Sequence, residues 1–337
     1  MIGHALESLG AGNSLSADDT EQVIESFIGG SAKEKDIKAF LTALHEKGET
    51  VTELVGVAKA LRAKMTKIKT SRSNVVDTCG TGGSGKNTFN VSTAAALVAA
   101  AAGASVAKHG NSKSTSKSGS ADVLKELGVN VDCSVDVVEK CLNQIGICFC
   151  YAPLFHPSVA KVMKIRKKLE FPTIFNLVGP LCNPASAPFQ VLGAGRGDTR
   201  IMLAEALAQL GVERAMVVHG DDGIGEITVS TNTHVTEIRN GHLAHREIAP
   251  EDFGISRGST DLLVVQNPQQ SADIITRVLD GQPGPSRDIV VVNAAAALWI
   301  SGICDDLGTG VERCQMAIDK GHANDILKEL KDVTNSG

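Results

Sequence analysis

Two valines, Val75 and Val76, run into four glycines within six residues, Gly80, Gly82, Gly83 and Gly85, and then into an Ala-rich helical segment opening at Ser92. The stretch 77–90 reads DTCGTGGSGKNTFN. A buried strand that passes through glycines to a helix N-terminus belongs to an α/β fold, and it makes an anion site. Glycine lets the backbone approach a ligand, and the helix end presents N–H groups with partial positive charge. A phosphate-bearing ligand is expected there.

From this point the chain alternates strand and helix. Strands are expected over 74–78, 104–109, 146–150, 191–194, 215–220, 262–265 and 288–293. Helices are expected over 93–102, 121–127, 135–144, 199–210 and 271–280. Continuous apolar strands joined by helical crossovers imply a mainly parallel sheet covered on both faces. The run 288–303 reads as a buried strand followed by a helix. Before residue 70 the texture is all helical, with apolar residues at three- and four-residue spacing over 17–28, 32–47 and 51–65. Ser16, Ser31 and Thr50 are the expected caps. The basic tract 64–72 is a phosphate-binding arm or a solvated linker, and the linker is preferred. A second helical patch, 156–168, interrupts the alternation. The Pro- and Gly-rich stretch 172–188 then reads as an inter-domain connection.

The 337 residues suffice for one large domain and a smaller one. A formal net charge of -5 and 3% aromatic residues argue against nucleic acid as a partner. The apolar run 94–102 is too short to span a bilayer, so no membrane association is expected. Residues 1–15 carry Glu7 and no basic or long apolar region, so no secretory signal is expected and the location is cytoplasmic. The eight cysteines include no CxxC pair, which disfavours zinc and suits reduced thiols. Cys79, inside the glycine motif, is read as a small residue ending a buried strand rather than as a nucleophile.

The glycine loop satisfies GxxxxGK over 80–86, but Asn87 stands where a P-loop has the Mg²⁺-binding Ser or Thr, so a P-loop ATPase is a near miss. A second polar loop, KHGNSKSTSKSG over 108–119, follows the next strand. It is either a second phosphate loop, with Ser120 capping the helix beyond, or a polar surface loop. After the strand 215–218 comes HGDDGIGE over 219–226, which reads equally as an Mg²⁺ site or as an Asp-stabilised turn. In the fourth segment His156-Pro157 opens a helix bearing Lys161, Lys164, Arg166, Lys167 and Lys168, followed by FPTIFNLVGPLCNPA. One arginine there can clamp a carboxylate through two parallel hydrogen bonds, and the residues themselves do not say which.

Taken in this order, the GTGG loop, the KHGN loop, the HP…R…TIFNLxGPLxNPA segment and the HGxDGxxE turn resemble the anthranilate phosphoribosyltransferases over nearly the whole chain. The resemblance implies a small helical domain plus a large α/β domain with a mainly parallel central sheet. Residues 1–72, joined by 156–188, would form the first; 73–155 and 189–337 would form the second. It also implies a homodimer through the helical domain. The reaction would transfer the phosphoribosyl group of phosphoribosyl pyrophosphate (PRPP) to the amine of anthranilate.

The same resemblance assigns roles. Gly80, Gly83, Ser84, Thr88, Asn90, Val91, Ser92 and Thr93 would cradle PRPP from one side. Lys108, His109, Gly110, Asn111, Ser112, Lys113, Ser114, Thr115, Ser116 and Ser120 would hold it from the other. Gly80, His109, Asn111, His156 and Arg166 would face anthranilate, with Arg166 on its carboxylate. Ser92 and Glu226 would ligate Mg²⁺, and Lys108, Arg166 and Glu226 would carry the catalysis. Three positions depart from the family pattern: Ser84 stands for Asp, Ser112 for Arg, and Gly225 for the Asp of an Asp-Glu metal pair. One Mg²⁺ is therefore expected, and a second lacks its carboxylate. Two other readings are a nucleoside-phosphorylase-like glycosyl transfer and a non-catalytic ligand-binding descendant.

Overall fold

The computed structural model describes residues 1–112 and 117–336. Four helices come first: α1 (Ile2–Gly10), α2 (Ala17–Ile28), α3 (Glu34–Lys47) and α4 (Val51–Lys64). Ser16 caps α2 by accepting the Asp19 N–H. Thr50 opens α4 with a reciprocal capping box to Glu53. The fully buried Glu53 carboxylate also accepts the Leu15 N–H at 3.0 Å and pairs with Lys47 at 3.0 Å. Ser31 is not a cap. Helix α3 starts two residues later behind Lys33, and Ser31 Oγ donates to the Ser26 carbonyl instead.

The chain then enters the α/β part through β1 (Val75–Gly80), α5 (Val91–Ala101), β2 (Ser105–Gly110), α6 (Ser120–Glu126), α7 (Val135–Ile145) and β3 (Ile147–Tyr151). Two short helices, α8 (Ala152–Phe155) and α9 (Ala160–Arg166), lead to the single turn α10 (Phe175–Val178). Next come β4 (Phe189–Gly193), α11 (Thr199–Gln209), β5 (Arg214–Gly220), β6 (Thr233–Arg239) and β7 (His242–Ile248). Helices α12 (Pro268–Leu279), α13 (Pro285–Ile300), α14 (Leu307–Asp319) and α15 (His322–Asn335) close the chain.

The seven-stranded sheet has the order β3-β2-β1-β4-β5-β6-β7. Its first five strands are parallel, and β6 and β7 add an antiparallel edge. Strand order reverses between β1 and β4. That is the point where an open α/β sheet leaves a crevice at its strand C-termini. One face of the sheet packs on α5, α13 and α15, with α14 packed against those helices. The other is continuous with the core of the four-helix bundle, to which α9, α10 and α11 contribute. The tract 65–72 is a linker: Thr66 N–H bonds the Phe155 carbonyl, and Lys69 and Arg72 bond residues of α7.

Several expectations need correction. Residues 288–293 are not a strand but the first half of α13. The β-branched run 289–292 is followed, after Asn293, by four alanines, and Pro285 at the first turn fixes a helix start. Only the length of the whole run distinguishes a buried helix from a buried strand. Residues 262–265 join no sheet. They form a 3₁₀ turn, Asp261–Leu263, and Val264 bridges Thr88 beside the glycine loop. The β6–β7 hairpin was not anticipated, although Asn240-Gly241, both at positive φ, marks a tight two-residue turn between alternating strands. Ser120 does not cap α6 but is its first residue, and Asp122 accepts the Gly119 N–H.

Candidate active site

The glycine loop lies at the crevice. Helix α5 begins at Val91, well beyond Lys86, so the lysine is not at the helix start as a P-loop requires. No side chain caps α5; Asn90 Oδ1 instead accepts from Thr93 Oγ1 and Ser120 Oγ. The helix thus directs its first N–H groups at the crevice without a side-chain rival. Gly80 and Ser92 line a cleft of about 30 Å³ together with Thr78, Cys79, Gly193 and Glu226. Cys79 is inert: burial pushes its thiol well above the ordinary range.

Strand β2 delivers Lys108 and His109. The Lys108 ammonium is 2% exposed, and it bonds the Thr78 carbonyl and Ser92 Oγ, the latter at 3.0 Å. Burial pulls its pKa down, and Asp77, Cys79 and Glu226 oppose that pull. Asp77, fully buried beneath, accepts the His109 N–H at 3.0 Å and Gln190 Nε2 at 3.3 Å. Asn183 Nδ2 donates to the Ala107 carbonyl at 2.8 Å. The end of β2 is therefore fixed from below by polar groups of β1, β4 and the 183–188 turn. Asn111 accepts the Ala121 N–H through its carbonyl, and Ser112 Oγ bonds the Tyr151 hydroxyl at 3.0 Å. Lys113, Ser114, Thr115 and Ser116 lie outside the described residues.

The acidic turn has two separate parts. Asp222 is committed to the turn itself, accepting from Thr228 Oγ1 and Ser230 Oγ, each at 2.6 Å, and from the Ile224 N–H. Asp221 pairs with His234 at 2.7 Å. Glu226 alone lines the cleft. Burial, followed by repulsion from Asp222, pushes its pKa up to about 7, while Lys108 pulls the other way. Among the described residues no group of three or more His, Cys, Asp or Glu can hold a metal. One carboxylate and one hydroxyl do not make a protein cage. They fit a hard cation that takes most of its oxygens from phosphate and water, as Mg²⁺ does.

On the bundle side, α9 packs against α2 and α3. Arg166, at its end, is half-buried, and among the described residues it has no carboxylate partner, only Met163 Sδ at 3.7 Å. Burial lowers its pKa. The rings of His109 and His156 lie 5.2 Å apart. His156 Nε2 bonds the Cys182 carbonyl, so it carries the proton and leaves Nδ1 as a lone pair. That Nδ1 and His109 Nε2 are both buried with no partner among the described residues. The structure thus groups Gly80, Ser92 and Glu226 in one cleft and pairs His109 with His156. Arg166 is not among the residues of the cleft wall.

His109 carries a pH prediction. Burial, then the neighbouring His156, lowers its pKa from 6.5 to about 3. A depressed histidine contributes stability above pH 6.5, and that contribution is lost as pH falls toward 3. The unfolded chain gains a proton there that the folded chain refuses, worth about 1.4 kcal/mol per pH unit over that window. Urea titrations between pH 6.5 and 4 should show a shallower loss of stability for His109→Asn than for the parent. Identical slopes would mean that His109 is protonated in the folded protein.

Sequence reasoning missed Gly193, which ends β4, and Gly195 just beyond it. A Cβ on Gly193 would stand 1.8 Å from the Gly225 carbonyl oxygen, and one on Gly195 would stand 1.9 Å from that of Gly82. The glycine loop and the acidic turn both rest on this bare backbone. Alternate glycines after a strand, GAGRG, were the available signal. Asp77, Gln190 and Asn293 were also missed as polar groups beneath the site.

Family models match both parts of the chain: a glycosyl transferase family helical bundle domain over residues 4–65, and a glycosyl transferase family a/b domain over 72–324. The chain is 45% identical to the anthranilate phosphoribosyltransferase of Acetivibrio thermocellus, covering 100% of this chain and 97% of that one. It superposes on the crystal structure of the Thermus thermophilus enzyme with a TM-score of 0.92 and 33% identity, covering 98% and 99% of the two chains. The Saccharomyces cerevisiae enzyme in complex with PRPP and Mg gives a TM-score of 0.90 at 27% identity, covering 100% and 98%.

Proposed function

We infer the reaction from one premise: the chain belongs to the anthranilate phosphoribosyltransferase family. It transfers the phosphoribosyl group of PRPP to the amine of anthranilate, giving N-(5-phosphoribosyl)anthranilate and pyrophosphate. The observation that carries this reading is the buried Lys108 ammonium, bonded to Thr78 and Ser92 in the cleft that Glu226 also lines. A desolvated cation beside an uncapped helix N-terminus is an environment for a polyanionic leaving group.

In this reading the loop from Gly80 through Gly83 and Ser84 to Thr88, with Asn90, Val91, Ser92 and Thr93, holds PRPP from the β1 side. Lys108 to Ser112 and Ser120 hold it from the β2 side, together with Lys113 to Ser116. Ser92 and Glu226 would hold a single Mg²⁺ together with the pyrophosphate oxygens. When bound, that ion supplies neutralisation of the leaving group's charge. Gly225 offers no second carboxylate, and a side chain there would meet the Ala194 carbonyl oxygen at 3.3 Å. Lys108 and the N–H groups of α5 take up the negative charge that grows on pyrophosphate as the C1–O bond lengthens. The aromatic amine is neutral at pH 7 and needs no strong base. His156 Nδ1 supplies a bare acceptor for its N–H groups, and the His109 ring stands beside it. A ring held neutral down to about pH 3 orients a donor far better than it removes a proton. Alignment of the two substrates provides much of the remaining acceleration.

The domain layout follows: residues 1–72 with 156–188 as the helical domain, 73–155 and 189–337 as the α/β domain, and a homodimer formed through the helical domain. No helix among the described residues is long and apolar enough to cross a membrane, and a cytoplasmic location fits the reaction.

Arg166 is assigned to the anthranilate carboxylate, because a half-buried guanidinium without a carboxylate partner is suited to receive one. Arg166→Ala should raise the anthranilate KM about 10- to 100-fold, the cost of a lost charged hydrogen bond, and change the PRPP KM little. An equal rise for both substrates would remove the clamp role.

A further inference from the structure

We propose that Asn293 is the positioning residue that aims the Glu226 carboxylate, and that it thereby sets the affinity of the site for a divalent cation bound with pyrophosphate. The inference rests on the metal-binding role of Glu226 given above. Asn293 lies on α13, on the face turned to the sheet, and is 6% exposed. Its Oδ1 accepts the Ile227 N–H at 3.1 Å, and its Nδ2 donates to the Ile227 carbonyl at 2.9 Å. Nδ2 also donates to the Ile289 carbonyl at 2.8 Å, one turn back on its own helix. The amide therefore clasps both main-chain groups of the residue after Glu226, as a neighbouring β-strand would, although this neighbour is a helix. A flipped amide would set Nδ2 against an N–H and Oδ1 against two carbonyls, so the network fixes its orientation.

The clasp holds what the turn does not. Asp222, Thr228 and Ser230 bond one another around the start and end of the loop, and their side-chain bonds leave the main chain of Ile227 to Asn293. The Glu226–Ile227 peptide is held by Asn293 through that N–H. Asn293 also lines the same cleft as Glu226 and Ser92. Its helix is buried over most of its length, so the clasp stands on a rigid element. Mg²⁺ demands near-octahedral geometry, and loss of a group that orients a ligating carboxylate costs about 10- to 100-fold in affinity.

The test is Mn²⁺ binding in the presence of inorganic pyrophosphate, read by the electron paramagnetic resonance of free Mn²⁺, with Asn293→Leu, Asn293→Ala and Glu226→Gln measured side by side. Asn293→Leu should weaken Mn²⁺ binding at least about tenfold and leave the anthranilate KM within about twofold. Asn293→Ala removes the clasp without adding branched bulk, and decides the matter if the leucine variant does not fold. Unchanged Mn²⁺ affinity in a folded Asn293 variant, with Glu226→Gln weakened, overturns the positioning role alone. Unchanged affinity in Glu226→Gln overturns the metal assignment beneath it. A rise in anthranilate KM matching the loss of Mn²⁺ affinity would mark Asn293 as a general structural residue and overturn the proposal.

Discussion

Replacing Glu226 by Ala should lower Mg²⁺-dependent turnover by about 100-fold or more, the cost of losing the only carboxylate that the cleft presents to a cation among the described residues. The loss should come from function and not from folding. Burial and Asp222 both disfavour the charged form of Glu226, so the unliganded protein sheds an unfavourable group when it is removed. The melting temperature without Mg²⁺ should therefore be no lower than that of the parent. Asp222→Ala should behave in the opposite way, since its carboxylate is engaged by Thr228 and Ser230 and serves the turn. Full activity in Glu226→Ala at ordinary Mg²⁺ would remove the metal assignment.

The second large effect is expected from a single methyl group. Gly193→Ala would place a Cβ 1.8 Å from the Gly225 carbonyl oxygen, where main chain meets main chain and no side chain can yield. The acidic turn must then move by more than an ångström. Overpacking of this kind costs about 1–3 kcal/mol of stability, and a displacement of that size at a reacting centre costs about 100-fold in rate. Steady-state kinetics should show kcat falling far more than the stability loss explains. Gly3→Ala is the control, because nothing lies within 4 Å of its Cβ position. Wild-type kinetics in Gly193→Ala would show that the turn tolerates displacement and that its position does not govern the chemistry.

The fold was legible wherever local pattern and tertiary role agree. The helical start, the five parallel strands and the strand–glycine–helix unit at Val75 were readable because buried parallel strands are apolar runs and amphipathic helices repeat at three and four residues. Legibility failed at Asp288 to Asn293, where β-branched residues sit inside a helix buried over most of its length. There periodicity vanishes, and only the length of the run and Pro285 point to a helix. The edge hairpin was passed over although Asn240-Gly241 announced it. In the site, loops rich in Gly, Lys and His were visible because their chemistry is carried by exposed residue types at strand ends. Gly193, Asp77 and Asn293 were not. Each acts by close approach or by bonding another segment's main chain, and those partners are far away in the sequence.

The most direct measurement is the fluorescence of anthranilate on mixing with PRPP, Mg²⁺ and the purified protein. A decrease that requires all four components, with pyrophosphate released in step, is the expected result. Fluorescence that stays constant at every Mg²⁺ concentration, with a folded protein, would contradict the assignment of this chain as a phosphoribosyl-transferring enzyme.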